Sequence, residues 1–242
     1  MVCLANSRKY GGRCIAGLAW KENDHWVWIR PVSNHGSGEL NAERFYEDGT
    51  EPQLLDLIDI SLLQPNPIGC HSEDVLVDSA KPWHKLDNLT YEEALDLVSM
   101  PCSSLWVNGK RTSHGINDVM DERVASRMKS SLKLICPDKL TMTATSEHHQ
   151  KRKVRGEFRL RNCSYKLTIT DPLIEQEFSQ YELGIKRTTL KPLLCISIGQ
   201  VFERTHACYK LIAGVMEACP DQSNLYHWAF QSPHRVFSRP VA

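Results

Sequence analysis

The chain has 242 residues, 41% of them hydrophobic, and its 29 basic and 29 acidic side chains cancel. That length and apolar content build a real core, in one large domain or two small ones. Zero net charge excludes the globally basic class of nucleic-acid binders, so such a role rests on local clusters of cations, and no apolar run approaches the roughly 20 residues of a membrane helix.

Residues 2–6, 13–20 and 25–30 read as strands, with Gly11-Gly12 turning the chain between the first two and Asn23-Asp24 between the next two. Residues 33–50 are polar and loop-like. Leu54–Leu63 reads as a strand whose later part alternates apolar with polar residues, and Gln64-Pro65-Asn66-Pro67 ends it. A short strand over Asp74–Asp78 and a Pro-Trp-His corner follow. Thr90–Val98 predicts a helix, with Thr90 as cap and Glu93 at the reciprocal capping-box position. Residues 99–131 read as surface connections with a short polar helix near 118–130. Strand candidates resume at 132–136, 140–145, 154–160, 165–170 and 193–198, and Asp171-Pro172 opens a short helix. Residues 208–216 fit both periods and become a strand if the segment closes a barrel.

The expectation is a mostly β protein of two OB-like β-barrels with interposed short helices, divided as 1–125 and 126–242. Cys3–Gly17 and Cys195–Gly214 echo each other, each a pair of apolar strands around a basic turn.

The nine cysteines, an odd number, sit at wide spacings with no C-x-x-C pair, and several lie inside apolar strands. They read as buried reduced thiols. The N-terminal residues lack the pattern of a signal peptide, and a cytoplasmic location without a membrane is expected. Cys70-His71 and His148-His149 lack zinc spacing, so no metal and no cofactor is expected.

The run Cys3-Leu4-Ala5-Asn6-Ser7-Arg8-Lys9 … Gly11-Gly12-Arg13-Cys14-Ile15-Ala16-Gly17, then Trp26-x-Trp28-Ile29-Arg30-Pro31-Val32-Ser33 and Gly38-Glu39-Leu40, resembles the bacterial dual OB-containing domain. Leu194–Gly199 and Cys208–Ala213 are similar to that family's closing strands. The resemblance implies two OB barrels, nucleic-acid recognition as RNA or DNA binding, and a possible partner protein from a conflict or defence system. It supplies no catalytic residues.

Three clusters are candidate nucleic-acid contacts. Ser7, Arg8, Lys9, Gly11, Gly12 and Arg13 combine cations with a glycine turn that can approach a phosphate closely. Trp28 is a stacking candidate, and Arg30 could grip a phosphate or an internal carboxylate such as Glu39. Lys151, Arg152, Lys153, Arg155 and Arg159 lie in the densest basic run, where Arg155 and Arg159 oppose Val154, Phe158 and Leu160 across a strand. That pattern suits salt-dependent phosphate binding, and it equally suits a solvated edge strand. The leading reading is a non-catalytic module for single-stranded or structured nucleic acid. The alternatives are a nucleic-acid-processing enzyme using a loop histidine (His35, His71, His84 or His114) and a protein-interaction or small-ligand sensor. Catalytic residues are unknown.

Overall fold

The computed structural model describes residues 1–21, 25–98, 104–147 and 151–218. The first sheet takes its strands from β1 (Val2–Lys9), β2 (Gly12–Lys21), β3 (His25–Val32), β4 (Asp56–Asp59), β5 (Leu62–Pro65), β6 (Asp74–Val77) and β7 (His84–Asn88), in the order β5-β6-β3-β2-β1-β4-β7. A single 3-10 turn (Ala42–Arg44) lies between β3 and β4, and helix α1 (Tyr91–Leu95) follows β7. The second sheet uses β8 (Val119–Asp121), β9 (Leu132–Ile135), β10 (Lys139–Glu147), β11 (Lys151–Leu160), β12 (Cys163–Ile169), β13 (Lys186–Leu190), β14 (Leu193–Ile198) and β15 (Ala207–Met216). Its order is β13-β10-β11-β12-β15-β14-β9, with β8 pairing β15. Helices α2 (Glu122–Ala125) and α3 (Pro172–Ser179) complete the elements.

Both sheets close by a bent strand. In the first, β4 pairs β1 and β5 pairs β6, so the segment split at Ile60-Ser61 joins the two ends of the sheet. In the second, β9 pairs β14 and β10 pairs β11, and the intervening Pro137 cannot continue a ladder. Each barrel has one parallel pairing among its named strands, β3 with β6 and β12 with β15. Five strand positions closed in this way, with the helical interruption between the third and fourth, make the Greek-key OB barrel. The expected strand over residues 54–63 is therefore two strands, because its halves serve opposite edges.

Other expectations shift for similar reasons. Residues 208–216 are strand, within β15. The polar helix near 118–130 is a short strand and a short helix, since Val119–Asp121 pair with Ala207–Tyr209. Strands β7 and β13 carry no apolar period, being exposed additions at sheet edges. The capping box of α1 forms: the Thr90 side chain accepts from Glu93 N, and the Glu93 carboxylate accepts from Thr90 N.

Alternation divides the core into layers. Cys3, Ile15, Leu40, Tyr46, Ile58, Val77 and Trp83 fill the first barrel. Leu140, Met142, Val154, Phe158, Tyr165, Leu167, Ile169, Ile196 and Ile212 fill the second. Between the barrels lies a third layer, with Val2, Leu4, Ala16 and Leu18 against Leu193, Cys195, Ala213 and Met216, flanked by Trp26 and Trp28. Strand β14 and the first half of β1 are buried on both faces, which explains the apolar runs Val2–Ala5 and Leu193–Ile196. Glycine permits the close approach of the barrels: a Cβ at Gly214 of β15 would sit 2.4 Å from Leu4 O of β1, while one at Gly17 would sit 1.8 Å from Val2 O within the β1–β2 pair. The echo between the two ends thus pairs strands one and two of the first barrel with strands four and five of the second. These positions are not equivalent in topology.

The seven described cysteines are free thiols, and burial pushes Cys3 and Cys195 far above the usual thiol range. Cys102 and Cys219 lie outside the described residues. No helix among the described residues is long and apolar enough to cross a membrane.

Candidate nucleic-acid interface

The 7–13 turn is more occupied than its composition suggests. Arg8 makes a two-pronged contact with Glu175 of α3 at 2.8 and 2.7 Å, which raises the guanidinium's pKa. Arg13 bonds Glu51 at 3.2 Å. Ser7 is buried, and Gly12 packs against Leu40 O. The Lys9 ammonium donates to Ser37 O. Gly11, by contrast, is exposed at the tip beside Tyr10.

Arg30 is 3% exposed, so the expected surface contact is corrected to an internal one. Its Nε donates to Asp74 Oδ1 at 2.7 Å, and Nη2 reaches Glu73 Oε2 at 3.4 Å and Ser131 Oγ. Glu73 in turn accepts from Ser131 N at 2.7 Å and from the Ser130 hydroxyl. His71 Nε2 lies 3.0 Å from Ile198 O of the second barrel. Burial, followed by the Arg30 charge, lowers the His71 pKa to about 4. Burial also raises the Asp74 carboxyl, against the pull of Arg30. The loop between β5 and β6 thus straps the first barrel to the second. The carboxylates that meet Arg30 are Glu73 and Asp74, while Glu39 accepts from Ser37 N at 2.8 Å. Trp28 is likewise half-buried in the inter-barrel layer.

His35, Arg30 and Arg8 do not meet in one pocket: Arg30 and Arg8 are held by different carboxylates, and His35 is exposed on its loop. A cleft of about 60 Å³ lined by Asn6, Arg13, Glu51, Pro52, Asp171 and Leu173 has room for only a few waters. Among the described residues no three His, Cys, Asp or Glu side chains cluster as metal ligands.

The basic run of β11 behaves differently. Val154, Phe158 and Leu160 enter the barrel and the odd-numbered residues face outward, as the alternation predicts. Arg152 turns away from that outer face and donates to Phe178 O, Ser179 O and Tyr181 O, capping the C-terminal end of α3. His148–Gln150 lie outside the described residues, and Lys151 opens the strand.

Register assembles the rest. One cross-strand row reads Lys186, Thr143, Arg155, Thr168, and the next reads Thr188, Thr141, Glu157, Lys166. Lys139 stands opposite Leu190, Arg159 opposite Ser164, and Thr145 opposite Lys153. The outer face of β13, β10, β11 and β12 is therefore a polar platform about 14 Å wide at the usual strand spacing. It holds Lys139, Lys153, Arg155, Arg159, Lys166 and Lys186, with Glu157 as the carboxylate among its described side chains. Lys139, Arg159 and Lys186 are exposed; Lys153 and Lys166 are half-buried. Lys166 lies 3.5 Å from Glu157. Arg155 is the exception, 5% exposed and 3.6 Å from Asp118, whose carboxylate also accepts from Thr112 N and Oγ1. It anchors the loop over residues 112–118 and is corrected from an open contact to a support beneath the platform.

Sequence reading named Lys153 and Arg159 and missed Lys139, Lys166 and Lys186. The alternation Thr141, Thr143, Thr145 was the available signal for a solvated face on β10. Lys186 had none, because its strand was not recognisable. The family model for the dual OB-containing domain matches residues 1–215. The chain belongs to this family. Comparison of this dual OB-containing domain with curated proteins and with solved structures yields no match. Family membership agrees with the two barrels and is compatible with nucleic-acid binding.

Proposed function

We propose that this protein is a nucleic-acid-binding module that holds the phosphate backbone on the outer face of its second barrel. The observation that carries the reading is the platform itself: outward cations from four adjacent strands, with Glu157 and, beside Arg155, Asp118 as the carboxylates among the described residues there, on the side of the barrel formed by its second and third strands. That side, with the adjoining loops, is where OB folds commonly hold oligonucleotides. The equivalent side of the first barrel is consumed by the inter-barrel layer, so the reading assigns one platform per chain. Overall neutrality does not oppose this, because local potential rather than net charge draws a polyanion. Threonine hydroxyls between the cations add neutral donors for phosphate oxygens.

The test is binding of fluorescent single-stranded RNA, single-stranded DNA and duplex across a salt series. Engagement of five cations gives a log–log salt slope of about −3.5 on a single strand. The triple variant Lys139→Ala, Arg159→Ala, Lys186→Ala removes three exposed charges and lowers the slope by about 2 without touching the core. A folded wild type that binds none of the three probes at low salt overturns the proposal.

A further inference from the structure

The turn between β1 and β2 and the loop between β14 and β15 belong to different barrels, yet they converge. Lys9 Nζ and Gln200 Nε2 donate to the same acceptor, Ser37 O, the latter at 3.1 Å. Each loop presents an exposed aromatic ring beside this junction. Tyr10 is 71% exposed, and Phe202 is 52% exposed. Neither ring is placed by slack chain. Tyr10 sits in a two-residue turn closed by the Lys9–Gly12 pair, with φ at 49°, a conformation costly for a bulky residue. Phe202 N donates to Ala207 O at 2.9 Å, and Thr205 N donates to Phe202 O at 3.0 Å. The Phe202 ring rests edge-on against Tyr209 at 6.3 Å, and the Tyr209 hydroxyl meets Thr205 Oγ1 at 3.2 Å.

Burying these rings inside either barrel would have been the stabilising choice; instead rigid turns hold them in water. Charge around them is nearly balanced, with Lys9 and Arg204 set against Glu39 and Glu203. Recognition here would therefore come from apolar ring faces rather than from net charge, which is the complement of the platform. Base faces are the ligand surface that matches exposed rigid rings on an OB loop pair.

We propose that Tyr10 and Phe202 form a stacking site for unpaired bases at the junction of the two barrels, so that the ligand is single-stranded and a single strand engages both barrels. This rests on the nucleic-acid reading above and deepens it. Trp28, the stacking candidate of the sequence, is half-buried in the inter-barrel layer, whereas these two rings are exposed.

The experiment uses the full chain with three probes: a single-stranded oligonucleotide carrying 2-aminopurine, an abasic strand of the same length, and a duplex. Wild type is expected to bind the base-bearing strand more tightly than the other two and to quench its fluorescence. Tyr10→Ala and Phe202→Ala are each expected to weaken base-bearing strand binding about 5- to 150-fold, while abasic binding holds. Tyr10→Phe keeps the ring and binds as wild type does. Trp20→Ala, at the far end of β2 and also exposed, binds as wild type does. Both target rings are exposed, and thermal unfolding of each variant checks that the fold is intact. Salt-steep binding that is indifferent to Tyr10 and Phe202, or equal affinity for abasic and base-bearing strands, overturns this proposal and leaves the platform standing. Failure to bind any probe overturns both.

Discussion

Arg30→Met removes a guanidinium from the strap between the barrels while keeping most of the side-chain volume. The cost falls unevenly on its partners. Glu73 retains Ser131 N at 2.7 Å, Ser131 Oγ at 3.1 Å and the Ser130 hydroxyl. Asp74 loses its 2.7 Å bond, and the remaining ring nitrogen, His71 Nδ1 at 3.8 Å, belongs to a group with pKa about 4 that is neutral at pH 8. Stranding one member of a buried pair costs about 3–5 kcal/mol, a large part of the ~5–15 kcal/mol that stabilises a typical domain. With a urea m-value near 3 kcal/mol/M, the midpoint falls by about 1–1.7 M. Tryptophan fluorescence is a suitable probe, because Trp26 and Trp28 lie in the layer between the barrels. The deficit is pH-dependent. Without Arg30, the folded-state pKa of Asp74 rises further above its unfolded value. The penalty is then complete above the folded pKa and is relieved as pH falls through it toward the lower, unfolded value, by at most about 1.4 kcal/mol per pH unit. The variant therefore gains on wild type as pH falls through that raised pKa. Adding Asp74→Asn recovers part of the loss by removing the stranded charge. A deficit under about 1 kcal/mol at pH 8, or one that widens on acidification, refutes the account.

Three further outcomes follow from the geometry. Gly214→Ala forces a Cβ against Leu4 O and is expected to cost at least about 1–3 kcal/mol in chemical denaturation, whereas Gly11→Ala, with open space at its Cβ, stays within about 1 kcal/mol. His71 has a folded pKa of about 4 against an ordinary 6.5, so the unfolded chain binds the extra proton between those values. Its contribution is intact above pH 6.5 and is lost as pH falls toward 4, up to about 3 kcal/mol, and His71→Gln flattens that limb of the stability–pH curve. Arg152→Ala unties the C-terminal end of α3 from β11, and amide exchange in Phe178–Tyr181 quickens while the interior of the first barrel is unaffected.

Much of the fold was legible because it obeys periodicity. Alternation on β11 and the capping box at Thr90 and Glu93 are local patterns, and both survive in the structure. The bend that splits residues 54–63 was not legible, because it answers to two partners distant in sequence. The candidate site was harder for a related reason. A lone Arg in Trp-x-Arg-Pro looks the same whether it meets phosphate or carboxylate; only the fold brings Glu73 and Asp74, some 43 positions away, beneath it. The platform emerges only when register sets Lys139, Arg159 and Lys186 side by side. The aromatic tips were passed over because tryptophan attracts attention, although its size makes it the residue a seam between barrels recruits.

The layer between the barrels also bears on how the chain is made. Strand β1 leaves the ribosome before every other described strand, and its neighbour β15 is the last of them. Leu4, Ala16 and Leu18 can assemble with the rest of the first barrel, but their outer cover does not yet exist. At about 5–20 residues per second, synthesis of residues 98–216 takes about 6–24 s. For that interval a nascent barrel presents an apolar wall to the cytosol or to whatever compartment receives it. Holding the N-terminal half free of other nascent chains until β15 arrives is therefore a task for cellular chaperones, and the yield of native protein should depend on them more than its final stability suggests.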